Sequence, residues 1–132
     1  MVSEALFAIT LREYPRAEGL MEKAVQLCPD APDYRVTLGS TRIRQGKRDE
    51  AKAAYKGALE AYENVANKNE NDAQSRLQQV YVLTLLGRVD EARAMLAKIA
   101  SRYPADKDVR MFVDGKQIDQ LLANPKFREI AF

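Results

Sequence analysis

The 132-residue chain carries 21 Lys and Arg against 19 Asp and Glu, a formal net charge of +2, with no His and one Cys. Its length suggests one domain with an ordinary core, and so even a charge balance gives little support for a nucleic-acid binder, whose mark is a strongly basic face. Without His the chain lacks the commonest metal ligand and the commonest general base near neutral pH; one Cys cannot close an internal disulfide, and no run of about eighteen apolar residues is present to span a membrane. The opening Met1-Val2-Ser3-Glu4-Ala5-Leu6 has no basic region leading into an apolar stretch and a cleavage site. It therefore does not read as a secretory signal, and a cytoplasmic location is favoured.

In chain order, Leu6 and Ile9 belong to a first, short helix, and Ala17, Met21 and Ala24 to a second that ends before Pro29. A third predicted helix contains Leu38-Gly39 and ends near Gly46. The segment Gly46-Lys47-Arg48-Asp49-Glu50-Ala51 then leads into a fourth, with Tyr55, Ala58 and Leu59 at helical spacing. Residues 61–72 contain the polar run Ala66-Asn67-Lys68-Asn69-Glu70-Asn71-Asp72. Val80-Tyr81-Val82-Leu83-Thr84-Leu85-Leu86 looks locally like a strand, because β-branched and aromatic residues favour sheets. It is read as helix because Gly87-Arg88-Val89-Asp90-Glu91-Ala92 follows, the second copy of glycine, two variable residues and Asp-Glu-Ala. Leu96, Ile99 and Pro104 complete that stretch.

Each copy reads as helix, tight turn, helix. Glycine tolerates the left-handed conformation just past a helix C-terminus, and the acids occupy the first turn of the next helix, where the dipole favours negative charge. Ala17 and Ala51 stand 34 residues apart, and Ala51 and Ala92 stand 41 apart. The seven extra residues, about two helical turns, are expected to lengthen the two facing helices by one turn each around the Asn-rich loop, or else to lengthen the loop alone.

This pattern resembles the tetratricopeptide repeat family, whose unit is a 34-residue helix–turn–helix. The middle unit matches best, with Leu38, Gly39, Gly46, Ala51, Tyr55 and Ala58, but has Arg35 and Arg42 at the family's usual Trp and Tyr. The third keeps Gly87, Ala92 and Pro104, with Gln79-Val80 in place of Leu-Gly, and the first keeps only its second half. The resemblance implies an all-α, right-handed α-solenoid with units at about 1–31, 32–65 and 73–106 and a polar insertion near 61–72. In that frame the first unit begins about two residues before Met1. Upstream repeats are then expected to be missing, leaving Leu6 and Ile9 on an apolar edge that would otherwise pack on a preceding helix. A homodimer through that edge is one consequence.

After Pro104, residues 106–132 resemble the terminal segment that closes such arrays, with Leu121-Leu122 and Asn124-Pro125-Lys126-Phe127. Asn124-Pro125 fits a helix start. Phe112, Ile118, Leu122, Phe127 and Ile130 would cover the last helix's apolar face. The sharper alternative is a tail that folds back and blocks the groove.

The remaining chemistry is weak. The acid pairs Asp49-Glu50 and Asp90-Glu91 sit at equivalent helix starts and are explained there. Cys28 has no His to activate it and reads as a packing residue. No zinc spacing, phosphate-binding loop or Ser-His-Asp set is present, so no catalytic, cofactor or metal site is expected. Arg42, Arg44, Lys47, Arg48, Lys52 and Lys56 form a basic stripe, interrupted by Asp49 and Glu50, that could meet nucleic acid or an anionic surface.

The resemblance implies a non-enzymatic adaptor or scaffold whose first helices line a groove for a partner's peptide or helix. The groove positions it carries over are Leu6 and Ile9; Asp33, Val36, Ser40, Ile43 and Arg44; and Gln74, Leu77, Gln78, Tyr81 and Leu85. Arg44 and Tyr81 are of the types enriched at binding hot spots. A subclass that clamps C-terminal carboxylates uses Lys and Asn where this chain has Val36, Ser40, Leu77 and Tyr81, so an amphipathic partner fits better. The alternative is an accessory region of a larger enzyme or signalling protein.

Overall fold

A computed structural model describes residues 2–132 and forms, among them, nine helices and no strand. In chain order these are α1 (Val2–Thr10), α2 (Tyr14–Leu27), α3 (Pro32–Ile43), α4 (Arg48–Lys68), α5 (Ala73–Leu85), α6 (Val89–Arg102), α7 (Lys107–Asp114), α8 (Gln117–Ala123) and α9 (Pro125–Arg128). The all-α, helix–turn–helix expectation holds, including the strand-like stretch from Val80, which lies in α5. Two compact units are present, one ending at Ala61 and the other spanning Tyr62–Phe132, with the boundary inside α4.

The repeated turns share one geometry. Gly46 has φ +76° and Gly87 φ +75°. The next amides reach back five residues, Lys47 N–H to Arg42 C=O at 3.0 Å and Arg88 N–H to Leu83 C=O at 2.9 Å. Glycine past the helix end permits this closing bond. The turn between α1 and α2 is built the same way, with Glu13 N–H donating to Ala8 C=O at 2.8 Å. Its left-handed residue is Arg12, φ 60°, 34 positions before Gly46. The first two helices thus also form a helix pair, whose turn lacks the glycine signal.

The repeat alanines Ala17, Ala51 and Ala92 are all fully buried, since only a methyl group fits where paired helices press together. In the first unit, Ala5, Met21, Ala24, Leu38 and Ala54 form one cluster, flanked by Val2, Leu20, Val25 and Tyr34. Gly39 lets the fully buried Tyr55 ring lie against the α3 backbone, because a Cβ there would stand 2.5 Å from ring carbons.

The seven extra residues enter one helix. α4 has 21 residues where α2 and α6 have 14 each, whereas α5 has 13 against 12 in α3. The expected sharing of one turn between two helices is corrected accordingly. The apolar stripe Ala51, Ala54, Tyr55, Ala58 continues at helical spacing through buried Tyr62 and Ala66, so the sequence rewards two further turns of α4. Asp72 then starts α5, its carboxylate accepting from Ser75 N–H at 2.9 Å and Ser75 hydroxyl at 2.7 Å. Asp106 starts α7 in the same manner, accepting from Asp108 and Val109 amides at 3.0 and 3.1 Å.

Candidate functional site

In the second unit, one stripe of α5 meets the segment after Pro104. Gln74, Leu77, Gln78 and Tyr81 recur at helical spacing and line an open pocket of about 450 Å³. Its other wall comes from Asp108, Met111 and Phe112 of α7 and from Gln117 at the start of α8. Leu77 forms the floor and is itself buried, while Gln74 is exposed and Gln78 and Tyr81 are half-buried. Met111 stands 72% exposed at the rim. The pocket thus combines an apolar floor, an adaptable apolar rim, the Asp108 carboxylate and three amides able both to donate and to accept.

α7 starts 34 residues after α5, and the capping acids Asp72 and Asp106 stand at that same spacing. α7 therefore occupies the place of a further first helix, and its residues complete the pocket. The sequence reading missed Asp108, Met111, Phe112 and Gln117 as lining. The Asp72-to-Asp106 spacing was the signal that could have found them.

Further along the α5 stripe, the tail covers the face. Phe127 is 4% exposed and meets the Tyr81 ring edge-on, with centroids 5.7 Å apart and planes at 68°. Phe132 N–H donates to Leu85 C=O at 2.7 Å. A Cβ at Gly87 would lie 3.1 Å from the Phe132 carbonyl oxygen, so the tail backbone runs directly over the turn. Burial pushes the Tyr81 phenol above its usual pKa. Leu85, expected to line the groove, is fully buried instead.

In the first unit, Val36 and Ser40 of α3 are half-buried, with the Ser40 hydroxyl donating to Thr37 C=O at 2.9 Å. Ile43, also expected as lining, is buried at the end of α3, where the helix closes on its neighbours. Arg44 lies over the Tyr14 ring, 5.6 Å from its centroid, within cation–π range. Asp33 is exposed and Ile9 half-buried, whereas Leu6 and Phe7 are 52% and 62% exposed on α1.

Much of the basic stripe is engaged internally. Glu18 of α2, 7% exposed, accepts from Arg42 Nε at 3.1 Å, Lys47 Nζ at 2.7 Å and Gln45 Nε2 at 3.0 Å. Arg42 also bridges to Glu22 at 3.3 Å and donates to Glu50 C=O at 3.2 Å. Burial alone would raise the Glu18 pKa, but the hydrogen bonds from Lys47, Gln45 and Arg42 outweigh it and hold the carboxyl below its ordinary value. Lys52 and Lys56 remain exposed on α4. Cys28, expected to be a packing residue, is exposed because it lies just past the end of α2.

No described helix is long and apolar enough to cross a membrane. Two tetratricopeptide repeat family models match the chain, one over residues 53–113, from α4 into α7, and one over residues 32–65, which begins with α3. No curated protein and no solved structure matches. The helix pairs, the two glycine turns, the buried repeat alanines and these two overlapping matches agree, and the chain belongs to the tetratricopeptide repeat family.

Proposed function

We propose that this chain is a non-catalytic adaptor that docks a partner protein's extended segment or helix on the α5 face. Repeats of this family generally serve as protein–protein interaction modules. The observation that carries the reading is the pocket where Gln74, Gln78 and Tyr81 face Met111 and Phe112. Such a lining suits a protein segment. The apolar floor accepts a side chain, Gln side chains can bond a peptide backbone, and an exposed Met adapts to partner shape.

Binding to nucleic acid or an anionic surface is the weaker reading. Arg42 and Lys47 bond Glu18, which engages two cations of the stripe within the unit.

The test is selection of peptides from a displayed random library on the intact chain. The selected peptides are then titrated against Gln74→Arg/Gln78→Arg and, as a control, Lys52→Glu/Lys56→Glu. The reading predicts at least tenfold weaker binding to the first variant and unchanged binding to the second. Unchanged binding to both, or loss only with the lysine pair, would count against it.

A further inference from the structure

The α5 stripe is one continuous face with two fates. Gln74, Leu77, Gln78 and Tyr81 border an open pocket, while Tyr81 and Leu85 are met by the chain's own tail. Tyr81 belongs to both parts. Anything lying along the stripe past Tyr81 would therefore meet Phe127.

The tail's grip has the form of a short bound peptide. α9 is four residues long, and Phe127 is its buried residue; Pro125, Lys126 and Arg128 are exposed. Five residues on, one backbone N–H of Phe132 bonds Leu85 C=O. An aromatic anchor in a side-chain slot plus a main-chain bond is the economy of linear-segment recognition, in which pockets select side chains and backbone bonds add affinity. The turn before it is equally local, with Asn124 accepting from Lys126 N–H at 2.9 Å.

We infer that residues 124–132 are an internal competitor for the α5 face, and that the partner segment displacing them carries an aromatic side chain in the place of Phe127. This rests on the docking reading above and adds to it the partner's chemistry and its control. Tethering gives the tail an effective concentration in the millimolar range, so only a segment making further contacts in the pocket displaces it at ordinary concentrations. The pocket beside Tyr81 supplies such contacts, and the tail does not use them.

The experiment titrates a fluorescein-labelled nonapeptide of sequence Asn124–Phe132 into the intact chain and its Phe127→Ala variant, followed by anisotropy. With the internal anchor removed, the variant should bind the peptide at least tenfold more tightly than wild type. Adding Tyr81→Ala should reverse that gain, and a peptide with Phe127 replaced by Ala should not bind. A Phe127→Ala chain of wild-type helicity that binds no better than wild type overturns the inference. Hydrogen exchange on the wild-type chain decides the matter if the variant does not fold. The tail is expected to open on its own, with residues 126–132 exchanging at least tenfold faster than the α5 interior. Equal protection would make the tail part of the global core and overturn the competitor role. A concentration-dependent dimer abolished by Phe127→Ala would assign the tail to a second copy and likewise overturn it. Failure of the docking reading would show separately, as display-selected peptides indifferent to Gln74 and Gln78.

Discussion

The faces of α3 and α5 are equivalent in the repeat, 41 residues apart, yet they are finished differently. Val36, Ser40, Ile43 and Arg44 correspond to Leu77, Tyr81, Thr84 and Leu85. α3 keeps Val36, Ser40 and Arg44 half-exposed, and its unit is locked by the buried carboxylate of Glu18. α5 buries Leu77, Thr84 and Leu85 and carries Phe127 on Tyr81. The close approach differs as well. Gly39 admits the Tyr55 ring, while the corresponding positions in the second unit hold Val80 and Leu96. One repeat frame thus tolerates two solutions, provided that each helix pair fills its own volume and satisfies its own buried polar groups.

The sharpest way to break this comparison is Gly39→Ala. The added methyl would stand 2.5 Å from the Tyr55 ring, which has no room to retreat. A destabilisation of about 2–3 kcal/mol is expected, read as a lower denaturant midpoint. Restoration by Gly39→Ala/Tyr55→Leu, which imitates the second unit's larger-on-α5, smaller-on-α6 arrangement, would sharpen it. No recovery in that double variant would show that the two solutions are not interchangeable.

Next in size is Glu18→Ala, which removes the acceptor of Lys47, of Gln45 and of one of the three Arg42 hydrogen bonds, and should cost about 2 kcal/mol at pH 7. The folded Glu18 pKa lies below the ordinary 4.5. Its contribution is therefore complete above that value and disappears as pH falls through the folded pKa. Urea melts at pH 7 and pH 3 should show the gap between wild type and variant closing at the lower pH. A gap that persists would mean that packing, not charge, holds this corner.

Smaller still, and of opposite sign, is Arg12→Gly. A side chain at φ 60° is strained, and glycine relieves it at some cost in unfolded-chain entropy. The net expectation is stabilisation by about 0.5–1 kcal/mol in a thermal melt. Gly46→Ala, at the matching turn, should move stability down by about the same amount. The tail offers the mildest probe. Tyr81 should titrate above the usual tyrosine range in wild type and shift back down in Phe127→Ala, followed by carbon-13 NMR of labelled tyrosine.

Much of the fold was legible because its signals are local and repeated. Gly46 and Gly87 with their Asp-Glu-Ala sequels mark turns, and the alanine spacing sets the frame that outweighs the sheet propensity of Val80–Leu86. Arg12 hid the first turn because its neighbours, not its own preference, impose the left-handed conformation. The fate of the seven extra residues turned on whether polar Asn67 and Lys68 could sit in a helix. Tyr62 and Ala66 on the buried side made that worthwhile. Of the site, Gln74, Leu77, Gln78 and Tyr81 were carried over from the family's groove positions, and they line one pocket. The α7 wall lies one 34-residue repeat beyond α5, a spacing that went unread, whereas the Glu18 network and the pairing of Phe127 with Tyr81 join residues 24 to 46 positions apart that no periodicity records.

The most direct test of the account is an amide chemical-shift map of the intact chain on addition of a display-selected peptide. The predicted result is that the largest changes fall on Gln74, Gln78, Tyr81, Met111 and Phe112, together with displacement of the Phe132 amide from its bond to Leu85. Largest changes on Val36, Ser40 and Arg44, or on Lys52 and Lys56, with the α5 face undisturbed, would contradict it.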